Sequence, residues 1–144
     1  MPELEHIIET FDFLTDWDDR YRFIEELGSS LGSLPAELKN DETIVNGCAS
    51  NVWVIGHPDK DNPDIFCFEA EAEQPIIKGL VYLMLQIFSG KTADEILVTD
   101  MDETFDRLNL GEHLSPQRHI GMYALVQKMK GIASPYAKKK YTSD

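Results

Sequence analysis

One cysteine in this chain stands where a thiol can do chemistry. In the run Val45-Asn46-Gly47-Cys48-Ala49-Ser50-Asn51-Val52-Trp53, Cys48 directly follows a glycine and precedes a β-type stretch over 51–55. Glycine adopts backbone angles that other residues resist, so a Gly-Cys step before a strand can hold a sulfur at the tip of a tight turn. A thiolate at such a tip is a nucleophile. Its attack on a sulfur–sulfur bond needs no metal, only approach and a suitable leaving sulfur. The same position also suits a small buried hydrophobe at a strand start, and the local sequence leaves both readings open.

Other chemistry-bearing residues give weaker signals. Cys67 lies between Phe66 and Phe68 in an apolar stretch, which predicts a packed core thiol, and its distance from Cys48 along the chain fits no CxxC motif. His6, His57, His113 and His119 are scattered, and none joins a cysteine at the usual zinc-ligand spacing, so no metal site is expected. A Cys–His hydrolase with His113 or His119 as base has no local support. Arg118 falls in the first turn of a helix opened by Ser115-Pro116, where a cation opposes the helix dipole by about 0.3–1 kcal/mol when exposed. Two explanations offer themselves: a salt bridge to one of the many acids, or an anion held jointly by the arginine and the helix terminus. Gly90-Lys91-Thr92 lacks the upstream glycine of a phosphate loop and reads as a helix stop followed by a helix start. The acidic stretches 16–19 and 100–103 have no calcium-loop spacing.

The elements that must position these residues follow from periodicity. Leu4, Ile7, Ile8, Phe11 and Leu14 form one helical stripe, and Trp17, Tyr21, Ile24, Leu27 and Leu31 another, capped by Asp16 and ended at Gly32. Pro35 opens a short helix to about Asn40. The period then shortens: 43–45, 51–55 and 65–70 read as three strands of a small antiparallel sheet. Pro75 opens a helix apolar nearly all round, which implies burial at the centre. Thr92 and Glu95 fit a capping box, Met101 to Leu108 a short helix, and Ser115-Pro116 the start of a last helix ending at Gly131. Helices, then strands, then helices predict one α+β domain over 1–133, its sheet covered by helices, with a flexible Lys-rich tail over 134–144.

Composition bounds the partners. A chain of 144 residues, 42% hydrophobic, can bury a core without staples. Its 26 acids against 13 Lys and Arg give a formal charge of −13. That surface repels phosphate, which argues against nucleic acid, and suits docking to a basic patch on a partner. The acidic start Met1-Pro2-Glu3 carries no secretory pattern, and the longest apolar stretch, 75–88, is too short to span a bilayer. A cytoplasmic location with two free thiols is the expectation, and no membrane association.

Several segments, in one order, resemble the SufE family. The cysteine run matches its V-x-G-C-x-S-x-V-W pattern. Upstream, Asp16-Trp17-Asp18-Asp19-Arg20-Tyr21, Glu26-Leu27-Gly28 and Leu34-Pro35 match its elements. Downstream, Ile77-Lys78-Gly79-Leu80, Ser89-Gly90-Lys91-Thr92 and His113-Leu114-Ser115-Pro116-Gln117-Arg118 with Gly121 do so. The resemblance covers about residues 4–131. The family often has a D-S-D element before the buried helix. Here it is Glu71-Ala72-Glu73, which keeps the charge and loses the serine, so no site is assigned there.

The resemblance implies a SufE/IscU-like fold and a sulfur acceptor. Such proteins take persulfide sulfur from a PLP-dependent cysteine desulfurase, SufS-like or CsdA-like, onto the active cysteine. They stimulate the desulfurase and pass sulfur toward an iron–sulfur scaffold. Cys48 carries over as the persulfide carrier and Arg118 as the arginine near the cysteine loop. Gly47 and Ser50 fall in the same motif as candidates for partner contact or sulfur stabilisation. PLP belongs to the partner, so no cofactor is expected on this chain. A regulatory module that docks without accepting sulfur is the alternative.

Overall fold

The structure, a computed structural model, describes residues 4–138. Helices α1 (Leu4–Phe13) and α2 (Trp17–Gly28) precede the strands β1 (Val52–Pro58) and β2 (Phe66–Ala72). Helices α3 (Pro75–Phe88), α4 (Ala93–Val98), α5 (Met101–Arg107) and α6 (Pro116–Ala133) follow. The class is α+β, as the patterning predicts. Apolar residues all round α3 make it the axis of the core: Leu80, Val81, Tyr82, Leu83, Met84 and Phe88 are buried, with α2 on one side and the sheet on the other. Gly79 lets α2 cross there, since a Cβ on it would lie 1.9 Å from the carbonyl oxygen of Ile24.

The sheet is an antiparallel hairpin with Val54 opposite Ala70 and His57 opposite Cys67. Burial alternates along the whole of β2 and along β1 as far as Val54. Val52 and Val54 of β1 and Phe66, Phe68, Ala70 and Ala72 of β2 are buried, with α3 packed on β2 and α6 on β1. The third strand expected at 43–45 is reduced to a bridge between Ile44 and Trp53. Two turns confine it. The Thr43 hydroxyl donates to Leu38 O at 2.6 Å, which closes the turn behind it. Gly47, at φ 108°, begins the next. The run between them donates from Val45 N to Val52 O and accepts at Thr43 O from Val54 N, and goes no further.

Helix ends also move from expectation. α2 stops at Gly28, not Gly32, because Ser29 takes over the final carbonyls: its hydroxyl donates to Glu26 O at 2.6 Å. The proline-opened turn is a 3-10 turn over Ala36–Leu38. α6 runs through Gly131 to Ala133. Burial of Ala133 and the packing of Ile132 on Gly56 outweigh the roughly 1 kcal/mol that glycine costs in a helix. The Thr92–Glu95 capping box forms with both of its bonds, and Gly90, at φ 80°, ends α3's exit turn. Of the expected tail, Ser134–Tyr136 forms a 3-10 turn whose Tyr136 ring meets Phe66 edge-on; residues 139–144 lie outside the described residues.

Candidate functional site

Cys48 lies in the turn between the Ile44 bridge and β1, against the first half of α6. Two glycines on different elements allow the approach. Gly47 holds the left-handed φ of 108°, and a Cβ on it would stand 3.1 Å from the Cβ of Ala124. A Cβ on Gly121 would stand 3.1 Å from the Cys48 sulfur. In the space so left, the Cys48 thiol donates to the carbonyl of Gly121 at 3.3 Å. The side chain is half-buried, and burial pushes its thiol pKa up.

The thiol opens into a cavity of about 330 Å³. Ile77 and Met122 give it apolar walls, while Ser50, Gln74, Gln117 and Arg118 add polar groups. Val52 and Trp53, the apolar neighbours in sequence, do not shield the sulfur. Val52 turns into the core, and Trp53 lies on the outer face of the sheet under the Lys39 ammonium, 5.2 Å from its ring centre. The shield comes instead from α3 and α6, remote in sequence, through Ile77 and Met122.

Arg118 reaches this cavity from the first turn of α6, where Ser115 caps the helix by accepting from the Arg118 backbone N–H at 3.3 Å. Among the described residues its guanidinium has no carboxylate partner, so the salt-bridge explanation fails. The cavity therefore combines a half-buried thiol, a helix N-terminus and an uncommitted cation. That combination suits an anionic group carried on the sulfur. Arg118 also lines a second cavity on the far side of Gln74, with Tyr21 and Glu25.

Cys67 departs from its expectation. Phe66 and Phe68 point into the core, so the residue between them points out, and its thiol donates to Asp59 Oδ1 at 3.3 Å. Burial first, then that carboxylate, push its pKa up. Cys67 faces His57 across the hairpin, five residues along β1 from Val52, or roughly 16 Å at strand rise. Cys48 precedes Val52 at the other end. A disulfide between them would need Cα atoms within about 7 Å, and both thiols are free.

No histidine lines the Cys48 cavity. His113 stacks on Trp17 with ring centres 3.6 Å apart, His119 stacks on Phe105, and His57 contacts Glu69. A Cys–His base pair at Cys48 is thus not formed. Among the described residues no group of three or more His, Cys, Asp or Glu converges as metal ligands. Glu71 is committed to structure: its carboxylate accepts from Leu34 N and Lys39 Nζ, both at 2.9 Å, and the lysine holds its pKa down. Among the described residues no helix is long and apolar enough to cross a membrane.

Comparison with known proteins points the same way. The family model described as "SufE: Fe-S metabolism associated domain" matches residues 5–133. An uncharacterized SufE-like protein of Rhizobium meliloti (strain 1021) is 42% identical over 134 residues, covering 92% of this chain and 96% of that one. A second, from Rhizobium etli, is 42% identical over 132 residues, covering 90% of this chain and 88% of its own length. A solution structure of a hypothetical protein from Thermus thermophilus shares the fold, with a TM-score of 0.72 over 93% of this chain and 95% of that one, at 16% identity.

Proposed function

The chain belongs to the SufE family, with the association with iron–sulfur metabolism which that domain carries, and on that premise we propose that it is a sulfur acceptor with Cys48 as the persulfide carrier. The observation that carries the reading is the placement of the Cys48 thiol in a cavity whose cation, Arg118, forms no ion pair among the described residues. The donor is a PLP-dependent cysteine desulfurase, which keeps the cofactor. The recipient is a scaffold of cluster assembly.

In the step proposed, the Cys48 thiolate attacks the terminal sulfur of the donor's cysteine persulfide. The bond from Cys48 Sγ to that sulfur forms, the donor's sulfur–sulfur bond breaks, and the donor cysteine leaves as a thiolate. The proton of the Cys48 thiol passes to the leaving thiolate, and no external oxidant or reductant is needed. At rest, burial keeps the thiol protonated and quiet. Docking of the donor must therefore loosen the Gly47-Cys48 turn and break the 3.3 Å contact to Gly121. After transfer, the persulfide is more acidic than the thiol it replaces, and the Arg118 guanidinium and the α6 N-terminus stabilise its charge. The walls formed by Ile77 and Met122 limit access of small thiols that would reduce it.

Hydrogen exchange tests the loosening. Addition of a desulfurase should raise exchange at Gly47 to Asn51; unchanged protection there would remove the turn from the mechanism. A chain that only regulates the desulfurase would dock and yet carry no sulfur, which intact mass distinguishes from transfer.

A further inference from the structure

Beside the thiol cavity lies a second one that the transfer step leaves unused. Its volume is about 380 Å³, and three elements line it: Tyr21 and Glu25 of α2, Gln74, Pro75 and Ile76 at the start of α3, and Arg118 of α6. That volume falls near the lower end of small-molecule sites, about 300–1,000 Å³. Tyr21 and Glu25 are four residues apart and so share one face of α2. Gln74 and Arg118 line both cavities, so the two spaces meet at those side chains.

The polar groups of this second cavity are of both signs, and they are uncommitted. Among the described residues neither the Glu25 carboxylate nor the Arg118 guanidinium forms an ion pair, with each other or with any other side chain. The Gln74 side chain makes no cap bond to α3. The Tyr21 hydroxyl donates to the His113 carbonyl, which fixes the phenol and leaves its oxygen lone pairs to accept. Pro75 and Ile76 add apolar surface beside these groups. A simple anion would meet Arg118 and be repelled by Glu25, and a simple cation would meet the reverse. A zwitterion answers both charges at once.

We infer that this cavity binds a small free α-amino acid as its zwitterion. The ligand carboxylate accepts from Arg118 and the Gln74 amide, its ammonium donates to Glu25 and the Tyr21 oxygen, and a short side chain packs on Pro75 and Ile76. The identity of the ligand rests on the sulfur-acceptor reading, while the opposed charges set its class. Desulfuration consumes free cysteine, and cysteine without its sulfur is alanine; both carry short side chains. Because Arg118 serves both cavities, a bound carboxylate competes with the persulfide of Cys48 for one guanidinium. An occupied cavity therefore slows the loading of Cys48, and by linkage a loaded Cys48 weakens amino-acid binding.

The test titrates the full chain with L-alanine and follows backbone amide chemical shifts. Those of Tyr21, Glu25, Ile76 and Arg118 should move together and saturate with a Kd on the order of 1 mM. L-Cysteine under reducing conditions should move the same residues. N-acetylalanine, which lacks the ammonium, and alaninamide, which lacks the carboxylate, should each bind at least about tenfold more weakly. Glu25→Gln should lose alanine binding by a similar factor. Its thermal midpoint should match the native chain's, because Glu25 is exposed, and it should still gain sulfur from a desulfurase and free cysteine. Saturating alanine should slow that gain several-fold in the native chain and leave it unchanged in Glu25→Gln. Shifts that do not saturate, or equal binding of alanine and its two singly charged analogues, would overturn the site. Slowing by alanine that persists in Glu25→Gln would place the effect on the desulfurase and overturn the competition. A native chain that binds alanine but gains no sulfur would instead remove the transfer reading and leave the amino-acid site standing.

Discussion

At the scale of single residues, burial sets the resting state of the Cys48 thiol. Burial raises the thiol's pKa, so the folded protein holds the proton to higher pH than an unfolded chain does. The thiolate fraction near neutrality is therefore smaller than that of a free thiol, whose pKa is about 8.5. Alkylation of Cys48 by iodoacetamide should be slower at pH 7 than that of free cysteine and should rise with pH to a midpoint above the free thiol's; a midpoint below the free thiol's would contradict a thiol quieted by burial. Arg118 acts later, on the loaded sulfur. Arg118→Ala should slow persulfide formation by tenfold or more, about 1.4 kcal/mol in the barrier, while Arg118→Lys should recover part of it and desulfurase affinity should hold. The turn position of Cys48 was legible in the sequence because a glycine precedes it and a β-type run follows closely, while the choice between a reactive and a packed thiol was left open there. Cys67 was misread for an instructive reason: its phenylalanine neighbours are core residues, and in a strand that is what turns the residue between them outward. The state of Arg118 was illegible, because an ion pair depends on which acids fold within reach; Glu25 lines a cavity with it, yet no ion pair to Arg118 forms among the described residues.

At the scale of elements, glycines decide how closely helices and turns approach. Gly121→Ala would add a methyl 3.1 Å from the Cys48 sulfur. Alanine favours the helix by about 0.8–1 kcal/mol, so the turn should yield, not α6. The melting temperature should change little while Cys48 alkylation at fixed pH accelerates several-fold; an unchanged alkylation rate would show that α6 does not hold the thiol down. Gly79→Ala is the opposite case, because the added carbon would fall 1.9 Å from the Ile24 carbonyl oxygen. Backbone cannot move aside cheaply, so α2 and α3 should separate at a cost of about 1–3 kcal/mol, read as a thermal midpoint lower by several degrees. Most elements were legible from period and caps, and the capping box at Thr92 formed as written. The misses share a cause. The strand at 43–45 is limited by the turns on either side, and the ends of α2 and α6 are set by Ser29 and by the burial of Ala133, which local propensity does not register.

At the scale of the whole molecule, one α+β fold brings a turn from the middle of the chain against the last helix, and sets the Arg118 cation at their junction within an acidic chain. The formal charge of −13 predicts that association with a basic partner surface weakens as salt rises, since screening shortens the reach of surface charge to about 10 Å at 0.1 M. The pairing of the cysteine turn with α6 was not readable from periodicity. The shared order of motifs placed both in one family, and only the fold shows that Gly121, Ile77 and Met122 complete the wall around the thiol. The central claim, that Cys48 carries sulfur, is tested most directly by intact mass after incubation with a cysteine desulfurase and free cysteine. The native chain and Cys67→Ser should each gain one sulfur atom that a reductant removes, and Cys48→Ser should gain none. A native chain of unchanged mass, or a sulfur retained by Cys48→Ser, would contradict it.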